Sequence, residues 1–228
     1  TNSTITRLWI EHTKCGLWLD GPFNNLQVSY MRIRNQNADG VNFHKGVTNS
    51  TFTQSHFRNT GDDAMAMWSD SNGTTIANAN NSFTFNTIEI PVLANGIAIY
   101  GGTDINVTDN YVAEQQAEGG GIHVGNRFSP VTPVSGTINI LRNTIVRAGS
   151  QDYYNGWNFG TGALWFYALD QNLTATINVN DNLIMDSNYE AIHFIGNSVS
   201  NITFRNNQIV GAGTYAVENR ANGGSATF

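Results

Sequence analysis

Charge is scarce in this chain. Only 12% of its 228 residues are Asp, Glu, Lys or Arg, about half the usual share. Lys and Arg total 11 against 17 Asp and Glu, for a net charge of -6. No basic stripe is available to follow a phosphate backbone, so a nucleic-acid partner is excluded, and a strongly anionic polysaccharide is disfavoured for the same reason. Cysteine is almost absent as well. Cys15 stands alone, which rules out an internal disulfide and a Cys-rich metal site. Its place before Gly16-Leu17 suits a small buried hydrophobe. No apolar run approaches the roughly 18 residues of a membrane span, so no membrane partner is expected. No leader-like segment is present, and the chain opens at Thr1 rather than Met, as a processed or excised piece does. Amides and hydroxyls take the place of charge: 32 residues are Asn and 23 are Gly. Such a surface suits a secreted, extracellular bacterial protein that meets neutral sugars.

A unit of 22 to 25 residues recurs along the chain. Asn25–Asn35 aligns with Asn49–Asn59 at a shift of 24, and the same shift carries Val41-Asn42-Phe43 onto Met65-Ala66-Met67. Each unit has a first strand such as Ile105–Val112, Ile138–Ile145, Ile177–Ile184 or Ile202–Ile209. A second alternating strand follows: Leu17-Trp18-Leu19, Val41-Asn42-Phe43, Met65-Ala66-Met67, Ile97-Ala98-Ile99, Ile122-His123-Val124, Leu164-Trp165-Phe166, Ile192-His193-Phe194 and Tyr215-Ala216-Val217. Period-two alternation argues strand, and a fixed short repeat argues a solenoid. The expected fold is all-β: a right-handed parallel β-helix of about eight coils, spanning residues 1–228 as a single domain. The recurring Asn near each bend is expected to bond its neighbours up and down the stack. Neither end shows a capping helix, so an internal stretch of a longer domain is expected.

Three insertions break the repeat, at Trp68–Gly73, Asn126–Ser135 and Gln151–Phe159. Long loops on a rigid scaffold tend to line a cleft. The middle residues of the second strands should face outward, in a column of Trp18, Asn42, Ala66, Ala98, His123, Trp165 and His193. Small residues there flank the acidic rungs, with aromatics and imidazoles beyond, as a sugar trough requires.

The same shift of 24 carries Asp39, in Asn37-Ala38-Asp39-Gly40, onto Asp63, in Gly61-Asp62-Asp63-Ala64. Adjacent rungs lie about 4.8 Å apart, so Asp39, Asp62 and Asp63 should converge. Crowded carboxylates are costly and are kept for chemistry or metal binding. Two stacked carboxylates facing a third could supply the roughly 6.5–9.5 Å gap of an inverting glycosidase. Crowding is expected to raise Asp62 and hold it protonated as the general acid, leaving Asp39 and Asp63 to activate water. Lys45, Trp68, His123, Arg127 and Trp165 are the candidates for holding sugar.

The paired motifs Asn37–Phe43 and Gly61–Trp68 resemble those of glycoside hydrolase family 87, the bacterial α-1,3-glucanases and mycodextranases. The resemblance implies a right-handed β-helix catalytic domain, preceded in the family by a galactose-binding-like domain that this sequence does not contain. It also implies three essential aspartates, one in the first motif and a consecutive pair 23 and 24 residues later, positions held here by Asp39, Asp62 and Asp63. Polygalacturonases carry a similar trio. The implied activity is inverting, endo-acting hydrolysis of α-1,3-glucosidic bonds by a monomer. No cofactor is implied and no metal ligand set is assigned, with room left for a structural calcium. Nigeran as substrate, a β-eliminating lyase, a calcium site at the trio and a glycan-binding solenoid are the competing readings.

Overall fold

The computed structural model describes residues 2–129, 131–151 and 156–228. Among these no helix occurs, and nearly every strand pairing is parallel. The chain winds through three faces per coil. One face begins with Ser3–Thr6 and Leu26–Ser29, and the second, of eight strands, runs from Trp9–Glu11 to Gln208–Ala212. The third carries the second strands of the repeat: Leu17–Asp20, Val41–His44, Met65–Trp68, Ile97–Tyr100, Ile122–Asn126 and Leu164–Ala168. It ends with the N-terminal part of Ile192–Arg205 and with Val217–Thr227. Eight coils of parallel β-helix result, as the repeat predicts.

Alternation places side chains as expected. Val41, Phe43, Met65, Met67, Ile97 and Ile99 are fully buried in one continuous core. Turning between faces needs left-handed backbone. One non-glycine residue per coil supplies it at the first bend: Arg7, Tyr30, Gln54, Phe85, Asp109, Arg142, Asp181 and Asn206, with φ between 51° and 60°. Just beyond that bend an inward amide ladder climbs the helix. Asn86 donates to Asn110, Asn110 to Asn143, Asn143 to Asn182 and Asn182 to Asn207, at 2.9–3.1 Å. The same amides cap strand carbonyls such as Val107 O and Ile140 O. The ladder thus satisfies polar backbone that the bend would otherwise bury unpaired.

One strand lies elsewhere than its pattern suggests. The last rung pairs Ile192 with Val217 and His193 with Glu218, so its strand is Val217-Glu218-Asn219 rather than Tyr215-Ala216-Val217. A two-residue shift preserves alternation, so periodicity does not discriminate between the two registers.

Candidate active site

Asp39 and Asp63 each stand two residues before a strand of the third face, and those strands pair Val41 with Met65. The Gly40 N–H donates to Asp63 O at 3.0 Å, fixing the two turns one rung apart. Gly40 itself is required by close approach. A Cβ there would lie 2.4 Å from Ala64 O and 2.6 Å from Phe57 Cδ1. One carboxylate oxygen from each of Asp39, Asp62 and Asp63 lies within 4.8 Å of the other two. The convergence expected from the repeat is therefore present.

The three acids differ in setting. Asp62 is exposed and accepts only from the Asp63 N–H, at 2.9 Å, among the described residues. Asp39 is buried and accepts from Asn42 Nδ2 at 2.7 Å. Asp63 is buried in a set of donors: Asn95 N at 2.7 Å and Asn95 Nδ2 at 2.9 Å reach Oδ1, and the Tyr100 hydroxyl reaches Oδ2 at 2.9 Å. Asn95 Oδ1 accepts in turn from Trp165 Nε1 at 2.8 Å and Gly120 N at 2.9 Å.

Burial, reinforced by the Asp62 charge and opposed by the Asn42 bond, raises Asp39 to about 7. Burial, then the charges of Asp62 and Asp39, pushes Asp63 well above the usual carboxylate range. The raised groups are thus the two buried acids. Desolvation is the largest cause for both, and it acts where water is excluded.

The cleft above the trio is lined by Trp18, Ala38, Asn42, Trp68, Tyr100 and Phe128 as well as the three acids. Trp18 is nearly half exposed, and its ring meets Trp68 edge-on at 6.3 Å. His44 wedges beneath both, 4.7 Å from Trp18 and 4.9 Å from Trp68. Its two nitrogens face Asp20 and Asp70, each at 3.1 Å. Phe128 comes from the second insertion, which joins the first through Thr132 N–H to Ser69 O at 2.9 Å.

Of the residues expected to hold sugar, only Trp68 lines this cleft. His123 is fully buried and Trp165 nearly so, with rings stacked 3.8 Å apart, so the expectation that they contact sugar is corrected. Trp157 packs edge-on against Trp165, and Phe159 against His193. The rest of that third insertion, residues 152–155, lies outside the described residues. Arg127 lies over the Phe128 and Tyr167 rings, beside the cleft rather than in its lining. Lys45 pairs with Asp20 at 3.3 Å, also outside the lining. Asn95 and Tyr100 escaped the sequence reading. Asn95-Gly96-Ile97 repeats the offset of Asp39-Gly40-Val41, a signal that was there to be used.

Fold and site together define a parallel β-helix with a carboxylate-floored, aromatic-walled groove on its third face. Residues 1–222 match the family model described as alpha-1,3-glucanase catalytic domain D2, and the chain belongs to that family. Among solved structures it is similar to the catalytic unit of a thermostable GH87 alpha-1,3-glucanase from Streptomyces thermodiastaticus strain HF3-3. That match has 33% identity and a TM-score of 0.88, over 99% of this chain and 47% of the other. It is also similar to the Agl-KA catalytic domain, at 27% identity and a TM-score of 0.83, over 97% of this chain and 46% of that one. The A-module of an Azotobacter vinelandii mannuronan C-5 epimerase, at 11% identity and a TM-score of 0.66, shares the fold alone. The chain spans about half the length of the glucanase structures it matches. No curated protein matches it.

Proposed function

We propose that this domain hydrolyses α-1,3-glucosidic linkages of α-1,3-glucan outside the cell, by carboxylate acid/base catalysis at Asp39, Asp62 and Asp63. The observation that carries the reading is the convergence of the three acids at the floor of an aromatic cleft in a chain of the alpha-1,3-glucanase family. The groove suits a neutral polysaccharide, since stacking faces and amides line it and no basic side chain does.

Hydrolysis needs one carboxyl that still holds its proton and one that can take a proton from water. The upward shifts of Asp39 and Asp63 mean that this buried pair keeps a proton near neutrality which isolated aspartates would lose. Asp62 is the exposed member and the one a glycosidic oxygen can reach. A sugar covering it desolvates it as Asp39 and Asp63 already are, which draws the shared proton to the carboxyl facing the leaving oxygen. Asp39 and Asp63, one rung apart, then hold the attacking water between them.

The test uses leaving groups. Asp62→Asn should abolish turnover of α-1,3-glucan yet keep turnover of an α-glucosyl fluoride, whose leaving group needs no proton. Asp39→Asn should depress both. Equal loss of both substrates in Asp62→Asn would sink the acid assignment. NMR of the first-formed anomer should show β-configured product. An α-anomer would replace the bound water with a covalent step. The trio could instead hold a cation; activity that vanishes in a chelator and returns with Ca²⁺ would favour that reading.

A further inference from the structure

Four rungs beyond Asp63, roughly 19 Å along the stack, a different set of side chains meets. Glu190 precedes Ile192 by the same two residues that separate Asp63 from Met65, so it occupies the carboxylate position of a later coil. Glu190 Oε1 accepts from the Thr214 hydroxyl at 2.9 Å. Glu218, the register partner of His193 on the next rung, has its Oε1 held by Arg220 at 2.7 Å. The other oxygen of each carboxylate, Oε2, has no hydrogen-bond partner among the described residues. Between them His193 is fully buried, and neither of its nitrogens makes a hydrogen bond among the described residues. Nδ1 lies 3.6 Å from Glu190 Oε2 and Nε2 lies 3.8 Å from Glu218 Oε2. Phe159 closes one side, 5.6 Å from the imidazole, with Arg220 over its ring.

Those separations are too long for direct hydrogen bonds. An imidazole gives a single nitrogen to an ion, so a shared ion would sit at one of these nitrogens between the two carboxylates; donors at about 2.0–2.2 Å from a tetrahedral metal stand roughly 3.4 Å apart. One atom from each of the three residues already lies within 4.8 Å of the others. Each carboxylate has one oxygen fixed by an outer donor and one left free, which is how outer partners orient metal ligands. Burying three unpaired polar groups is costly unless something joins them. Imidazole nitrogen and a small ligand count suit Zn²⁺ or Mn²⁺ better than Ca²⁺, which takes six to eight oxygens.

We propose that Glu190, His193 and Glu218 form a binding site for a divalent transition-type cation, separate from the aspartate cleft and independent of its chemistry. In the test, the full chain is freed of metal with a chelator and titrated with ZnCl₂ by calorimetry, and with CoCl₂ while visible absorption is followed. Expected are one-to-one binding, tetrahedral cobalt bands and a raised unfolding temperature with Zn²⁺. Glu190→Gln and His193→Gln should weaken Zn²⁺ binding more than about tenfold, while Asp39→Asn/Asp62→Asn retains it. Circular dichroism confirms the β fold of each variant, and Glu218→Gln, at a less buried position, replaces any that fails to fold. The proposal is overturned if Zn²⁺, Co²⁺ and Mn²⁺ all leave the wild-type chain unchanged, as a proton shared by the two carboxyls would predict. Zn²⁺ binding that survives in the glutamine variants, or that disappears with the aspartate pair, overturns it as well.

Discussion

Trp165 donates its indole N–H to Asn95 Oδ1 at 2.8 Å, from a strand two rungs beyond the one that follows Asn95. Asn95 then gives both of its nitrogens to Asp63 Oδ1. Trp165 therefore acts on the acid cluster through Asn95 and not on the sugar. Trp165→Phe keeps the stack on His123 and removes the N–H. Steady-state kinetics should show kcat reduced about tenfold, the equivalent of one lost hydrogen bond of about 1.4 kcal/mol, with KM unchanged. A raised KM at constant kcat would return Trp165 to the sugar-binding role its outward column position suggests.

The setting of Asp39 ties stability to pH. Its carboxyl lies at about 7 in the fold against 3.8 for a free aspartate, so the fold prefers the protonated form. That preference is fully present below about pH 4 and is lost as pH rises through 7. Asp39→Asn cannot ionise, and its Oδ1 can still accept from Asn42. The variant and the wild-type chain should unfold at similar temperatures at pH 4, with the variant increasingly more stable up to pH 8. The gap there is on the order of 2–4 kcal/mol. Thermal unfolding across that range checks it, and a pH-independent difference would remove the carboxyl from the cause.

Repetition explains how much of this was legible beforehand. A coil must place equivalent residues one rung apart, so the alignment of Asp39 with Asp63 fixed their proximity before any coordinates. The inward Asn ladder was visible for the same reason. Alternation also tells which residues leave the core, but not what then covers them. His123, Trp165 and His193 do leave the core, yet Trp157, Phe159 and Phe128 from the insertions seal that part of the face. Insertions have no counterpart in the repeat, so nothing in the pattern places them. The Ala66 and Ala98 positions, read as an open centre, are covered by Trp68 and Tyr100 packing across them.

Trp18 and Phe128 are the cleft aromatics that keep open faces. Trp18 is 46% exposed, whereas Tyr100 is 6% exposed and bonded to Asp63. Truncation of Trp18 to alanine should remove a stacking surface without disturbing the acids. In an Asp62→Asn background, binding of an α-1,3-linked tetrasaccharide should weaken about five- to tenfold, or roughly 1–1.4 kcal/mol. Calorimetry measures it. Unchanged affinity would mean that the sugar passes the groove on the Phe128 side.

The scaffold's sensitive point should be the amide ladder rather than the apolar core alone. Asn143 sits in its middle: its Nδ2 caps Val107 O and bonds Asn182, and its Oδ1 accepts both the backbone and side-chain nitrogens of Asn110. Asn143→Ala removes the side chain, takes one bond from Val107 O and leaves the Asn110 backbone N–H buried without its partner. A group left so costs about 1–3 kcal/mol, so with the lost bonds a loss of roughly 3 kcal/mol is expected in denaturant unfolding. Asn197→Ala provides the comparison, because it removes a single exposed bond to Leu169 O and should cost under about 1 kcal/mol. If the two variants lose equal stability, the ladder is not what ties one coil to the next, and the continuous apolar core must carry that coupling by itself.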